Sequence, residues 1–186
     1  MEKRVAVLSF WVCICLIFSF LSVGCKKGQG FEVSDGTLEK SGMGYALSAE
    51  KDKAAVALKK IEPPFKNIMT VKGKMKSLLP YGTRNGYIVF GENPRKFAQA
   101  GIRIGGMMYV LEGHYVEKME VPQKFDQKKV FDVELNVDMK GKTVTWKVDG
   151  TEVKTQMRYK PVSINYVGYM AGNTKTEFSD LQISGE

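Results

Sequence analysis

The chain has 186 residues, 28 of them lysine or arginine and 20 aspartate or glutamate, for a net charge of +8 at pH 7. A single histidine and three cysteines exclude a histidine-based metal cluster, and the basic balance favours anionic partners such as acidic or sulfated glycans or anionic lipid head groups. The basic runs are short (Lys26-Lys27, Lys59-Lys60, Lys128-Lys129) and form no helical stripe, so no nucleic acid is expected as partner, and lysines that solvate strand faces and guard sheet edges are the competing account of the charge.

The N-terminus has the order of a secretory signal. Met1-Glu2-Lys3-Arg4 precedes an apolar run from Val5 to Leu21, broken by Ser9 and Ser19 and followed by Ser22, Val23 and Gly24. The competing reading is an uncleaved membrane span, which wants about 20 apolar residues. Leu21-Ser22-Val23-Gly24-Cys25 resembles the lipobox of bacterial lipoproteins, in which a small residue precedes a cysteine that takes a diacylglycerol before cleavage. Ser22 stands where that pattern usually has leucine. The resemblance implies a signal peptide over 1–24, Cys25 as lipid anchor, a lipidated cysteine and tether over 25–30, and one domain over 31–186. The expected location is the bacterial cell envelope, lipid-anchored and extracytoplasmic, at the outer membrane or cell surface. Several acyl chains on one cysteine hold a protein stably where a single chain does not. Cys13 and Cys15 fall within the signal, so the exported domain has no internal disulfide available. Its core must hold it, and a domain near 150 residues buries roughly 70% of its surface.

From Phe31 onward the periodicity is that of strands. Gly44–Ala49, 54–61, 67–76, 85–91, 98–104 and 107–111 fit, with Gly82, Gly105-Gly106 and Gly113 as turn residues. Ala54 to Lys60 has a helical composition, but it is too short to stand alone and Pro63-Pro64 stops it, so a strand is predicted. The clearest alternation is Phe131, Val133, Leu135, Val137 and Met139 against Asp132, Glu134, Asn136 and Asp138. Lys140-Gly141-Lys142 turns the chain into Val144, Trp146 and Val148. Asp149-Gly150 then marks a hairpin, because both central positions of the favoured turn need positive φ. Thr151–Gln156, 163–170 and 176–184 complete the set, the last two parted by Gly172-Asn173. About a dozen short strands at close spacing predict an all-β antiparallel sandwich or barrel.

Phe131 to Asp138, Thr143 to Gly150, Asn165 to Tyr169 and Glu177 to Ile183 resemble the concanavalin A-like lectin/glucanase superfamily, which includes laminin-G-like domains. Gln99 to Ile104 is similar to the earlier glycine-bearing strand of that fold. The resemblance implies an antiparallel jelly-roll β-sandwich, concanavalin A-like. Val144-Thr145-Trp146 before Asp149-Gly150 is similar to the 3-keto-disaccharide hydrolase-type domains of bacterial lipoproteins. Those domains usually close with a Gly-Leu-Gln strand, a histidine and a Phe-Arg-Asn-Ile strand. Here the positions read Gly168-Tyr169-Met170, no histidine, and Phe178-Ser179-Asp180-Leu181, so the activity is not carried over.

Two carboxylates about 5–10 Å apart are needed for glycoside hydrolysis. Asp132 and Glu134 are the weak catalytic candidates: residues two apart on a strand sit roughly 6.7 Å from each other, and Asp138 shares their face. A solvated strand face, opposite Thr143, Thr145 and Lys147, explains them as well. His114 alone supplies no triad without a Gly-x-Ser-x-Gly elbow. Loop oxygens near Asp138 or Asn173 are the candidate calcium ligands, though no dense Asp/Asn loop surrounds them, and no other cofactor is expected. The stronger hint is of binding. If Ala100, Ile102 and Ile104 face the core, Gln99 and Arg103 face outward, and the same alternation turns out Tyr87 and Tyr109. Tyr87, Gln99, Arg103 and Tyr109, with Tyr169 as a fifth, are therefore expected to share a sheet surface suited to a sugar, and Trp146 to pack in the core. The leading expectation is a non-catalytic carbohydrate- or partner-binding lipoprotein. A hydrolase of the 3-keto-disaccharide type and a structural envelope protein are the alternatives.

Overall fold

The computed structural model describes residues 30–50, 52–77, 85–103, 108–123 and 129–186. The signal segment, Cys25, Gly82, Ile104, Gly105-Gly106 and Met107 lie outside them. The strands are β1 (Phe31–Ser34), β2 (Gly36–Lys40), β3 (Gly44–Ala49), β4 (Ala54–Phe65), β5 (Ile68–Ser77), β6 (Asn85–Asn93), β7 (Lys96–Arg103) and β8 (Met108–Gly113). They continue as β9 (Met119–Pro122), β10 (Phe131–Asp138), β11 (Thr143–Val148), β12 (Thr151–Gln156), β13 (Ile164–Gly172), β14 (Lys175–Ser179) and β15 (Gln182–Gly185). Two antiparallel sheets form a sandwich. One has the order β1-β4-β13-β6-β7-β8-β9; the other runs β12-β11-β10-β5-β14-β3-β2, with β15 beside β5.

The alternation of β10 and β11 places Val133, Leu135 and Val137 against Val148, Trp146 and Val144 in register, all buried on one face. Asp149 and Gly150 both adopt positive φ, 49° and 85°, as the two-residue hairpin requires. The helical composition of β4 is overridden by pairing on both sides: β1 and β13 flank it. β1 pairs only with Val56 to Lys59, so Pro63 and Pro64 fall beyond that ladder, where their missing N–H groups cost nothing. The single strand expected over 176–184 is two strands. Both run along β5, and at the break Ser179 Oγ accepts the Lys74 N–H at 2.8 Å. β1, β2 and β9 are short and mostly solvated, too short for periodicity to reveal.

The core lies between the sheets. Trp146 is fully buried, and Phe31, Tyr45, Tyr169 and Phe178 form an aromatic cluster with centroids 4.6–6.0 Å apart. Burial pushes the hydroxyls of Tyr87, Tyr109 and Tyr169 up from their ordinary range, and that of Tyr115 up to about 12. A folded state that raises a phenol's pKa favours its neutral form. That stability is fully present below the unfolded value of about 10 and is lost as pH rises through the folded values. Alkaline titration followed by phenolate absorbance is expected to show late-ionising tyrosines whose release coincides with unfolding. Complete ionisation near pH 10, with the near-ultraviolet circular dichroism intact, would refute the burial of these hydroxyls.

Candidate functional site

The outward face of the seven-stranded sheet carries two cross-strand rows. One row is Tyr87, Gly101, Val110 and Glu120; its neighbour is Val89, Gln99 and Glu112. Gly101 is required by the first row, because a Cβ there would stand 2.2 Å from the Tyr87 ring. Its absence lets the ring lie across β7, and the Tyr87 hydroxyl accepts a hydrogen bond from Arg103 Nε at 3.0 Å. Arg103 Nη2 donates to Glu112 Oε1 and Nη1 to Glu120 Oε1. Gln99 Nε2 donates to the same Glu112 oxygen at 2.6 Å, and Lys118 Nζ pairs with Glu120 at 2.9 Å.

This network fixes charge states. Partial burial disfavours the Arg103 charge, but its bonds to Tyr87 and Glu112 outweigh that and hold the guanidinium more firmly protonated than usual. Lys118, with Arg103 behind it, holds the Glu120 carboxyl below the usual carboxylate range. With Arg103 25% exposed and Glu112 19%, truncating the arginine leaves the part-buried Glu112 carboxylate with the Gln99 amide but without its cation, while Glu120 keeps Lys118. Arg103→Ala is expected to cost about 2 kcal/mol of stability, and Arg103→Lys to restore little of it, since one ammonium cannot span three acceptors. Denaturant unfolding of both variants checks this; full rescue by lysine would show that charge alone matters.

Beside the network an open groove of about 540 Å³ is lined by Phe97, Gln99, Glu112, His114, Lys118, Arg95 and Arg158, among others. His114 follows β8, and its backbone N–H donates to the Phe97 carbonyl at 3.0 Å. Its ring stands edge-on to Tyr115 and stacks on Tyr159 (centroids 5.9 Å, interplanar angle 27°). Tyr159 is 59% exposed. The groove thus joins aromatic faces to an amide and a carboxylate whose positions the arginine network sets.

Of the residues expected to form a binding surface, Tyr87, Gln99 and Arg103 share this face. Tyr87 is nonetheless buried, and each Arg103 nitrogen already has a partner within the chain. Tyr109 and Tyr169 do not share it. Tyr109 pairs with Ile102 and Tyr169 with Ile88; cross-strand partners share a face, and both tyrosines are in the core, where the Tyr169 hydroxyl donates to the Ser179 carbonyl at 2.9 Å. Val110 misdirects the alternation because it is buried on the outward side, in a second cluster with Leu58, Tyr87 and Val89. Phe97, Glu112, Lys118 and Arg158 were not singled out by the sequence, and His114 was weighed only as a base. Glu112 was within reach, two positions beyond an outward Val110.

Asp132 and Glu134 lie elsewhere, on the outward face of the eight-stranded sheet, in a groove of about 570 Å³ with Lys72, Lys74, Lys147 and Gln182. Each faces a lysine of β5: Asp132 with Lys74 at 3.4 Å, Glu134 with Lys72 at 3.2 Å. Near the positions considered for calcium, Asp138 Oδ1 accepts the Gly141 N–H at 2.7 Å and Asn173 Oδ1 that of Asp52 at 3.4 Å. The first bond closes the turn between β10 and β11, and the second links two loops distant in sequence. Among the described residues no group of three or more His, Cys, Asp or Glu side chains is arranged to hold a metal ion.

No protein-family model matches the sequence, and no curated protein matches it. Solved structures do match the fold. The carbohydrate-binding module CBM66 from Bacillus subtilis superposes with a TM-score of 0.69 at 12% identity, over 84% of this chain and 96% of that one. A sialidase gives 0.66 at 14%, over 84% of this chain and 17% of its own. A toad ovary galectin in complex with thio-digalactose gives 0.50 at 13%, over 71% and 98%. At these identities the likeness is one of fold: an antiparallel jelly-roll sandwich of the concanavalin A-like kind.

Proposed function

We propose that the domain is a non-catalytic carbohydrate-binding module, carried by a lipoprotein anchored through Cys25 on the extracytoplasmic side of the cell envelope. The observation that carries the reading is the groove on the seven-stranded sheet, where the Phe97 and His114 rings stand beside the Gln99 amide and Glu112 carboxylate. Sugar rings offer C–H faces to aromatic groups and hydroxyls to a few fixed polar partners, a combination that concave ligand sites supply. Arg103 acts in this reading as a positioning residue that sets Glu112. The likeness in fold to a carbohydrate-binding module and to a galectin in complex with thio-digalactose supports the choice of ligand class.

Turnover finds less support. A general acid needs a carboxyl raised toward neutrality, whereas Glu120 is shifted the other way, and Asp132 and Glu134 each face a lysine. The test is an array of neutral and acidic oligosaccharides probed with the purified full chain. Binding to one sugar class, lost on substituting Phe97, is the expected result. A co-purifying protein partner without glycan affinity would instead assign the chain a structural role in the envelope.

A further inference from the structure

The charged lining of the same groove is lopsided. Arg95, Lys118 and Arg158 are cationic, and Glu112 is the one carboxylate among them. Glu112 is already committed to Arg103 and Gln99, and Lys118 to Glu120. Arg95 and Arg158 are different. Both are exposed, and among the described residues neither takes part in an ion pair. Their backbones are tied down: the Arg95 N–H donates to Asn93 Oδ1 at 3.0 Å and the Arg158 N–H to the Tyr115 carbonyl at 2.8 Å. Two guanidinium groups on fixed backbone, lining one groove with aromatic rings beside them, suit an anionic group on a sugar. Arginine's fork matches the two oxygens of a carboxylate or sulfate, which a single ammonium cannot do.

Resting on the carbohydrate-binding reading, we infer that the ligand is an anionic saccharide, a uronate or a sulfate ester, whose charged group is held by Arg95 and Arg158. The eight-stranded sheet provides the contrast. Three of its lysines, Lys72, Lys74 and Lys147, line the groove there and each face a carboxylate, as, among the described residues, Arg95 and Arg158 do not.

The test uses matched pairs that differ only in charge: oligogalacturonate against its methyl ester, and a sulfated galactan oligosaccharide against its desulfated form. Titration calorimetry on the full chain at moderate salt is expected to show at least one acidic member binding about tenfold or more tighter than its neutral partner, the difference expected for a charge-assisted hydrogen bond. Arg95→Ala and Arg158→Ala should each weaken the acidic member more than its neutral partner and so reduce that preference. Lys72→Ala with Lys74→Ala should leave the preference intact. Equal affinity within every pair, preference retained in the Arg95→Ala/Arg158→Ala double variant, or an equal loss in the lysine variant would overturn the inference. Neutral saccharides that bind without charge preference would leave the carbohydrate reading standing, whereas failure of every saccharide to bind would remove both.

Discussion

Phe97→Ala is expected to weaken oligosaccharide binding about 30-fold, the effect of deleting a central aromatic contact worth roughly 2 kcal/mol. Phe97 is half-buried, and its inner part packs on the cluster of Leu58, Tyr87, Val89 and Val110, so alanine also removes some packing. Phe97→Leu separates the two effects, since it keeps apolar volume at the sheet surface and deletes only the ring. Both variants should lose affinity, while the leucine variant keeps a melting temperature close to that of the parent. Affinity that falls only in the alanine variant, in step with its stability, would make Phe97 a packing residue and move the binding surface elsewhere.

Trp146→Ala is expected to be the most damaging single truncation, at about 3–5 kcal/mol. Folding stabilities run roughly 5–15 kcal/mol, so the loss consumes much of the total. Trp146 is fully buried, paired with Leu135 on one side and Val153 on the other. Its indole N–H has no acceptor among the described residues, and an unmet buried donor costs about 1–3 kcal/mol. Trp146→Phe removes that donor along with part of the ring, so the two effects oppose each other and the net loss should stay near 1–2 kcal/mol. Urea unfolding of both variants reads the difference. A phenylalanine variant as unstable as the alanine one would show that the indole N–H is satisfied in solution.

The hairpin of β10 and β11 was legible in the sequence because one face is buried and the other is wet, so hydrophobicity and strand period coincide. On the seven-stranded sheet that contrast fails. Val56, Leu58, Val89 and Val110 point outward yet are apolar, and a period-two reading through Met108, Tyr109 and Val110 then has no way to choose its phase. Only the pairing of Tyr109 with Ile102 settles it. Tyr169 is hidden for a related reason, since β13 is a central strand with apolar residues on both faces. The groove and the network beside it were legible in part: Gln99 and Arg103 follow from the alternation of β7. Arg158 reaches the groove, and Tyr159 the His114 ring, because Val116 bridges to Met157, a contact that no local pattern announces.

The most direct test is to follow backbone amide shifts of isotope-labelled full-length chain during titration with the oligosaccharide that binds best on the array. The expected result is a contiguous set of shifts over Phe97 to Gln99, Glu112 to His114 and Arg158, with β5, β10 and β11 unmoved. Shifts confined to Lys72, Lys74, Asp132 and Glu134 would place the ligand on the opposite sheet and refute the assignment of the site.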